Sequence, residues 1–431
     1  MKGRSMKTRT MLVLLGWALG WPAGAVTLDE LAARLEKLEA KVAAYEERYG
    51  PLDGPQSSLP ETMRGPVRPS QYSSPAKGGM GSGSSFADTD RSIDESFGVG
   101  GGGGGGGAGN WWERTTLGGY GEMHLNLGDV EEIDFHRWVL FLNHRFNDRI
   151  KLYSELELEH SLAGEGKAGE VELEQAYIEF ALDHNLYAKA GLFLLPVGTL
   201  NETHEPDTFF GVERNPIEKE IIPTTWWEGG AGLSQVLDNG FSWDVAVHSG
   251  LDVPAMGSDA FRIRSGREKV SEAPAKEAAV TGRLRWSGTP GVDLSAFAQY
   301  QPDITQTTSP EDNSATLVGA TAHLQRGGFG LRALAAQWSI DGAMPRALGV
   351  DDQYGYYVEP SYTVMLGNGS RVGVFGRYNY YHYAKGEVMQ YDAGINFWPI
   401  DQVVLKADWS HLEEKGKEAE DIFNVGVGYS F

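Results

Sequence analysis

The chain has 431 residues, with 37 Lys and Arg against 59 Asp and Glu, a formal charge of −22, 57 glycines and no cysteine. An acidic excess on this scale excludes a nucleic-acid binder, which needs clustered Lys and Arg to neutralise phosphates. The lack of cysteine excludes disulfide scaffolds, thiolate-ligated zinc and thiol nucleophiles. Length alone predicts roughly two or three soluble domains, unless one large β-barrel takes up most of the chain.

Lys2, Arg4, Lys7 and Arg9 precede an apolar run from Met11 to Leu19, which ends at Trp21-Pro22-Ala23-Gly24-Ala25. A basic start, a short hydrophobic core and a small-residue end predict a secretory signal peptide over residues 1–25, cleaved after Ala25. The run is too short to cross about 30 Å of hydrocarbon as a helix. Leu28, Leu31, Leu35, Leu38, Val42, Tyr45 and Tyr49 then follow at alternating spacings of 3 and 4. That pattern places one apolar seam on a helix over residues 26–49, flanked by Glu36, Lys37, Glu39, Lys41 and Glu46. A single helix packed on the body of the protein would show the same seam. Strict a/d spacing with charged flanks favours self-association into a parallel bundle, and leaves dimer and trimer undistinguished.

Residues 50–110 carry Pro51, Pro55, Pro60, Pro66, Pro69 and Pro75, then Ser/Gly sequence and eight consecutive glycines, Gly100 to Gly107. No strand precedes the glycines and no Gly-Lys-Ser/Thr closes them, so they read as a linker rather than a phosphate cradle. Charges balance over residues 1–110, with 12 basic and 12 acidic; the remaining 25 basic and 47 acidic residues lie in 111–431.

From Leu117 to the end, segments of about ten residues alternate between an apolar and a polar face. Ile150, Leu152, Leu156 and Leu158 oppose Lys151, Tyr153, Glu155, Glu157 and Glu159. Phe241, Trp243, Val245 and Val247 oppose Ser242, Asp244, Ala246 and His248. Sixteen such segments are predicted, centred near residues 121, 139, 155, 175, 190, 230, 245, 282, 296, 320, 333, 360, 377, 394, 407 and 426. Short connections such as Asn147-Asp148, Thr289-Pro290 and Gly327-Gly328 alternate with mostly longer ones. Short turns on one rim and longer loops on the other are the pattern of a transmembrane barrel. The fold class expected is therefore all-β: a 16-stranded antiparallel transmembrane barrel over 111–431, preceded by the short helical coiled coil. The last strand sets Phe423, Val425, Val427, Tyr429 and Phe431 on one face and must pair with the first to leave no edge.

This final segment, with Tyr429 and Phe431 at its end, resembles the C-terminal assembly signal of bacterial outer-membrane barrels. The chain also resembles the porin family that includes the phosphate-selective porins O and P. The resemblance rests on Leu173-Glu174-Gln175-Ala176-Tyr177-Ile178, on Gly191 to Gly198 with Asn201-Glu202, and on Ile222-Pro223 to Gly232. It implies a homotrimer in the outer membrane, in contact with lipid, with Leu28 to Tyr49 as a periplasmic trimerisation stalk. It further implies that the third external loop, here Leu200 to Ile222, folds into the barrel and narrows it. Glu202, Glu205, Asp207, Glu213 and Arg214 are then the candidate constriction residues. On the inward faces, Glu155 and Glu157 extend an acidic wall, while Arg283, Arg285, Arg371 and Arg377 either form an opposing basic wall or pair with neighbouring glutamates.

The best-known family members owe phosphate selectivity to Arg and Lys clusters. This lumen reads acidic, so the expectation is passive diffusion of ions and small hydrophilic solutes with a mild preference for cations. An anion-, phosphate- or organic-acid-selective porin is the alternative within the fold. A structural tether, with stalk and linker binding a periplasmic or cell-wall partner, is the alternative outside it. No zincin motif, P-loop or Gly-x-Ser-x-Gly elbow is present, and His204-Glu205 has no second histidine at ligand spacing. No enzymatic activity, metal or cofactor is expected.

Overall fold

The computed structural model describes residues 111–129, 131–307 and 313–431. The signal peptide, stalk and linker expected over 1–110 lie outside the described residues. Sixteen antiparallel strands close into one barrel in which each strand pairs with its sequence neighbours and β1 pairs with β16. They are β1 (Thr115–Leu127), β2 (Glu131–Asn147), β3 (Ile150–Glu159), β4 (Val171–Ala181), β5 (Leu186–Leu194), β6 (Trp227–Val236), β7 (Phe241–His248) and β8 (Ala279–Thr289). Then come β9 (Val292–Gln301), β10 (Ala315–Arg326), β11 (Phe329–Ile340), β12 (Asp352–Met365), β13 (Arg371–Tyr383), β14 (Gly386–Ile400), β15 (Val403–Glu414) and β16 (Glu420–Ser430). Among the described residues, no helix is long and apolar enough to cross a membrane.

The alternation of residues decides which face each strand presents. Along β3, Tyr153, Glu155 and Glu157 are buried in the lumen while Leu156 is exposed outside; along β7, Ser242, Asp244, Ala246 and His248 are buried and Val245 and Val247 exposed. Leu117, Leu173, Leu233, Leu284, Val374 and Leu405 continue the apolar outer surface. Tyr354, Tyr356, Tyr378, Tyr380 and Tyr391 form a contiguous ring cluster near one rim, and Phe329 packs on Tyr362 near the other, with centroids 4.6 Å apart. An apolar band bounded by aromatic residues is the surface a bilayer requires of a barrel.

Closure uses the last residue. Phe431 N donates to Gly119 O at 2.8 Å and Gly119 N to Phe431 O at 2.9 Å, extending the β1–β16 register that runs from Tyr120–Ser430 to Leu127–Phe423. No strand edge is left open, which removes the unpaired donors and acceptors that hydrocarbon would penalise.

Turns at 148–149, 290–291 and 327–328 lie on one rim, and connections at 160–170, 195–226, 249–278 and 341–351 lie on the other. The connections at 128–130 and 384–385 are short despite lying on the long-loop rim. The β5–β6 connection turns inward. With the β7–β8 loop it builds an apolar core inside the barrel, where Leu195, Ile217, Ile221, Trp226, Phe261 and Ile263 pack with Trp338 and Tyr357 of the wall. Part of the lumen is thus filled by loop side chains rather than water. That core also explains β11, whose inward Leu334, Ala336 and Trp338 are buried and whose outward Gln337 is exposed, the reverse of the general polarity.

Candidate functional site

The site is the lumen at the level of the inward loop. The loop begins at the β5 end and returns through the one-turn helix Ile217–Glu220. Glu218 ties its two ends together. One carboxylate oxygen accepts from the main-chain N–H of Thr199 and from that of Leu200 (2.6 Å), and the other accepts from Asn215 Nδ2 (2.9 Å) and the Tyr357 hydroxyl (3.3 Å). Asn201 adds a second clasp, donating to the carbonyls of Leu195 (2.8 Å) and Trp226 (2.9 Å).

Between these clasps a strip crosses to the opposite wall, where five consecutive carbonyls are held by inward side chains. Trp398 Nε1 donates to Asp207 O (3.3 Å), Arg332 to Thr208 O (2.6 Å), Asn396 Nδ2 to Phe209 O (3.2 Å), Arg377 to Phe210 O (3.4 Å) and Lys406 Nζ to Gly211 O (2.8 Å). Val212 N donates to Asp408 at 2.5 Å. Each such bond contributes about 0.5–1.5 kcal/mol, and more where the donor is charged. On β16, a Cβ at Gly428 would collide with Pro206, so only glycine lets the strip lie this close to the wall.

The five expected constriction residues all lie on this loop. Glu202 pairs with Arg283 of β8. Asp207 accepts from Ser430 Oγ (2.9 Å), and Glu213 contacts His124 Nδ1 (3.0 Å) and Asn126 Nδ2 (3.1 Å) of β1. Arg214 donates to Thr225 Oγ1 at 2.9 Å. Burial pushes the Glu205 carboxyl up to about 7, against the pull of neighbouring His204.

The four wall arginines are ion-paired. Arg283 Nε lies 2.9 Å from Asp244 Oδ2, Arg285 Nε 2.6 Å from Asp293 Oδ2 and Arg371 2.7 Å from Asp401 Oδ1. Arg377 bridges Asp392 (2.9 Å) and Glu359 (3.0 Å). The acidic wall of β3 and β4 meets the loop at His204, whose Nε2 lies 3.3 Å from Glu174 and 3.6 Å from Glu155. Glu157 faces Arg137 at 3.9 Å, which in turn binds Glu122 at 2.5 Å.

Above the strip, on the long-loop side, a cavity of about 660 Å³ is lined by charges of both signs, with Arg137 and Lys269 set among the acids of the wall. Glu122, Glu159, Glu172 and Glu174 line it from β1, β3 and the β4 side, and Arg214, Arg264 and Arg267 line it from the loops. Arg264 donates to the carbonyls of Lys219 (3.2 Å) and Thr224 (2.9 Å), and Arg267 to that of Thr225 at 2.5 Å. Neutral oxygens thus anchor the guanidiniums while their charge faces the cavity. Below the strip a second cavity of about 260 Å³ is lined by Phe210, Asp293, His323 and Arg332. Phe209 lines the upper cavity and Phe210 the lower, so the strip separates them.

Sequence reasoning missed Arg332, Trp398, Lys406 and Asp408 as partners of the loop, and His204 as the loop's partner for Glu155 and Glu174. Alternation marked Lys406 and Asp408 as inward-facing, but nothing in the chain names a partner 195 or 196 positions away. It also missed Arg264 and Arg267, which sit in a loop without periodicity.

No protein-family model matches the chain. It is 27% identical over 349 residues to an uncharacterised protein of Aquifex aeolicus, covering 73% of this chain and 80% of the relative. Among solved structures it is similar to OmpF of Salmonella typhi in complex with daunomycin (TM-score 0.52, 11% identity, 74% of this chain and 97% of that one). It is also similar to the anion-selective porin from Comamonas acidovorans (TM-score 0.50, 12% identity, 74% and 99%). At these identities the likeness establishes architecture. The chain has the closed barrel fold of bacterial outer-membrane porins.

Proposed function

We propose that this protein is an outer-membrane porin that lets ions and small hydrophilic solutes diffuse passively, with a mild preference for cations. The observation that carries this reading is a closed barrel, apolar outside and charged inside, with a loop folded into its lumen. The short-turn rim then faces the periplasm and the long-loop rim the exterior. Among the described residues, fifteen Asp and Glu are buried against six Lys and Arg, nearly all on the inner wall or its loops. That excess favours cations. The Comamonas neighbour is anion-selective by name; the sign of the buried charge here supports the opposite preference. The heptad seam from Leu28 to Tyr49 supports self-association without fixing its number; a homotrimer, with residues 26–49 as a periplasmic stalk and 50–110 as its linker, is what the resemblance to the porin family implies.

The test is the reversal potential of the purified protein in a planar bilayer under a salt gradient. Conductance steps with cation selectivity are expected. Anion selectivity would keep the channel and refute the role assigned to the buried acids. A folded, heat-modifiable barrel that gives no steps would refute the channel itself and favour a structural tether.

A further inference from the structure

We infer that Asp134, His136 and His160 form a binding site for a first-row divalent transition-metal ion at the long-loop mouth of the lumen. The three side chains offer one carboxylate oxygen and two imidazole nitrogens within 4.8 Å of one another. Both rings aim the same atom at the same oxygen: His160 Nδ1 lies 2.8 Å and His136 Nδ1 3.2 Å from Asp134 Oδ2. For metal–ligand bonds of about 2.05 Å, neighbouring donors are about 2.9 Å apart in an octahedral site and about 3.3 Å in a tetrahedral one. The two nitrogen–oxygen separations, 2.8 and 3.2 Å, lie close to those values. In the ion-free form each Nδ1 hydrogen-bonds the Asp134 carboxylate, so an incoming ion displaces the Nδ1 protons and leaves each ring protonated on Nε2, with its Nδ1 lone pair on the ion.

Asp134 and His136, two residues apart on β2, share a face by strand alternation. Between Glu122–Arg137 and His124–Asp134 the β1–β2 register advances two residues on β1 and three on β2, which is a β-bulge. In a regular strand Arg137 would face the lumen and the Asp134–His136 pair would face away from it; the extra residue turns the pair to the same side as Arg137. His160, at a φ of 51°, leaves the end of β3 with its N–H donating to His136 O at 3.0 Å, which fixes its position beside the bulge. His124 stacks on His136 with centroids 4.7 Å apart, and is itself held by Glu122 (3.2 Å) and Glu213 (3.0 Å). That stacking holds the plane of the His136 ring and so the direction of its Nδ1.

Two imidazoles and a carboxylate select ions such as Zn²⁺, Ni²⁺, Co²⁺ or Cu²⁺ over Mg²⁺ and Ca²⁺, which take oxygen ligands. The remaining coordination positions open to the cavity, because His136 and His160 keep 32% and 35% of their side-chain surface and both rings line it. A bound dication there would sit beside the acidic wall and oppose cation passage.

The test uses the full chain, folded in detergent and free of any affinity tag, titrated with ZnCl₂ by calorimetry and with CoCl₂ by visible absorption. One saturable site per chain is expected, with cobalt ligand-field bands that zinc abolishes. His136→Asn combined with His160→Asn should weaken binding by about tenfold or more, and Asp134→Asn should weaken it as well. His411→Asn, altering an exposed histidine between Asp421 and Glu413, should leave it unchanged. Heat-modifiability of each variant confirms folding. No saturable binding, or wild-type binding by the folded double variant, overturns the site. These readouts do not require conduction, so failure of the channel assignment leaves them interpretable.

Discussion

Truncating Glu218 should release the inward loop. The residue has no exposed surface, and its carboxylate serves the main-chain N–H groups of Thr199 and Leu200 together with Asn215 and Tyr357. Glu218→Ala leaves two buried main-chain donors without an acceptor, at about 1–3 kcal/mol each. Part of that loss is offset, because burial already disfavours the ionised carboxyl, raising its pKa against the hydrogen bonds from Leu200, Asn215 and Thr199. Even a net loss of about 2 kcal/mol shifts the docked-to-released ratio about thirtyfold. Glu218→Gln, which keeps one oxygen acceptor for the two N–H groups, should fall between wild type and alanine. The assay pairs single-channel conductance with limited proteolysis of the loop: alanine should give larger or noisier steps and faster cleavage between 199 and 222. An alanine variant with wild-type steps and wild-type protease resistance would refute the claim that this clasp holds the loop.

Loop docking should also depend on pH. Burial raises the Glu205 carboxyl to about 7, so the docked state is favoured below its free value of about 4.5 and loses that support as pH rises through about 7. Burial disfavours the His204 imidazolium, but the Glu174 and Glu155 carboxylates outweigh it; the raised pKa supports docking at low pH and fades only well above 6.5. Both signs predict larger conductance steps at about pH 8 than at about pH 5, with Glu205→Gln reducing the difference; an identical pH profile in that variant refutes the assignment. Deleting Tyr429 to Phe431 removes the Gly119 bonds and should lower the yield of heat-modifiable barrel on gels; an unchanged yield would show that closure does not need them. Deleting residues 26–49 should reduce trimers to monomers by sedimentation while the barrel remains folded, and persistent trimers would place the contact on the barrel.

The strands were legible because a single-walled barrel has one simple rule, and Glu155, Asp244 and Arg283 obey it. Exceptions arise where another force sets the face. The inward side of β11 is apolar at Leu334 and Trp338 because it meets the loop core, a tertiary fact that strand periodicity cannot encode. Around Gln175 the alternation changes phase because the β3–β4 register shifts between Glu155 and Leu156. The loop was legible as an acidic segment after β5, yet its ion pairs were not: Glu202 and Arg283 are 81 positions apart, and only the inward fold of the loop brings them together. The histidine cluster depends on a bulge of one residue, which leaves no compositional trace.

Five wall side chains grip Asp207 to Gly211 by their main-chain oxygens, and the Asp207 carboxylate and the Phe209 and Phe210 rings add side-chain contacts. Much of the anchorage therefore falls on atoms that every residue type carries. A mutation at Thr208 can change the bulk presented to a passing solute while leaving the main-chain handholds in place. A mutation at Lys406 or Asn396 does the reverse. Such a division gives the lineage a part it can vary in small steps, trying one permeability after another without first having to rebuild the mount.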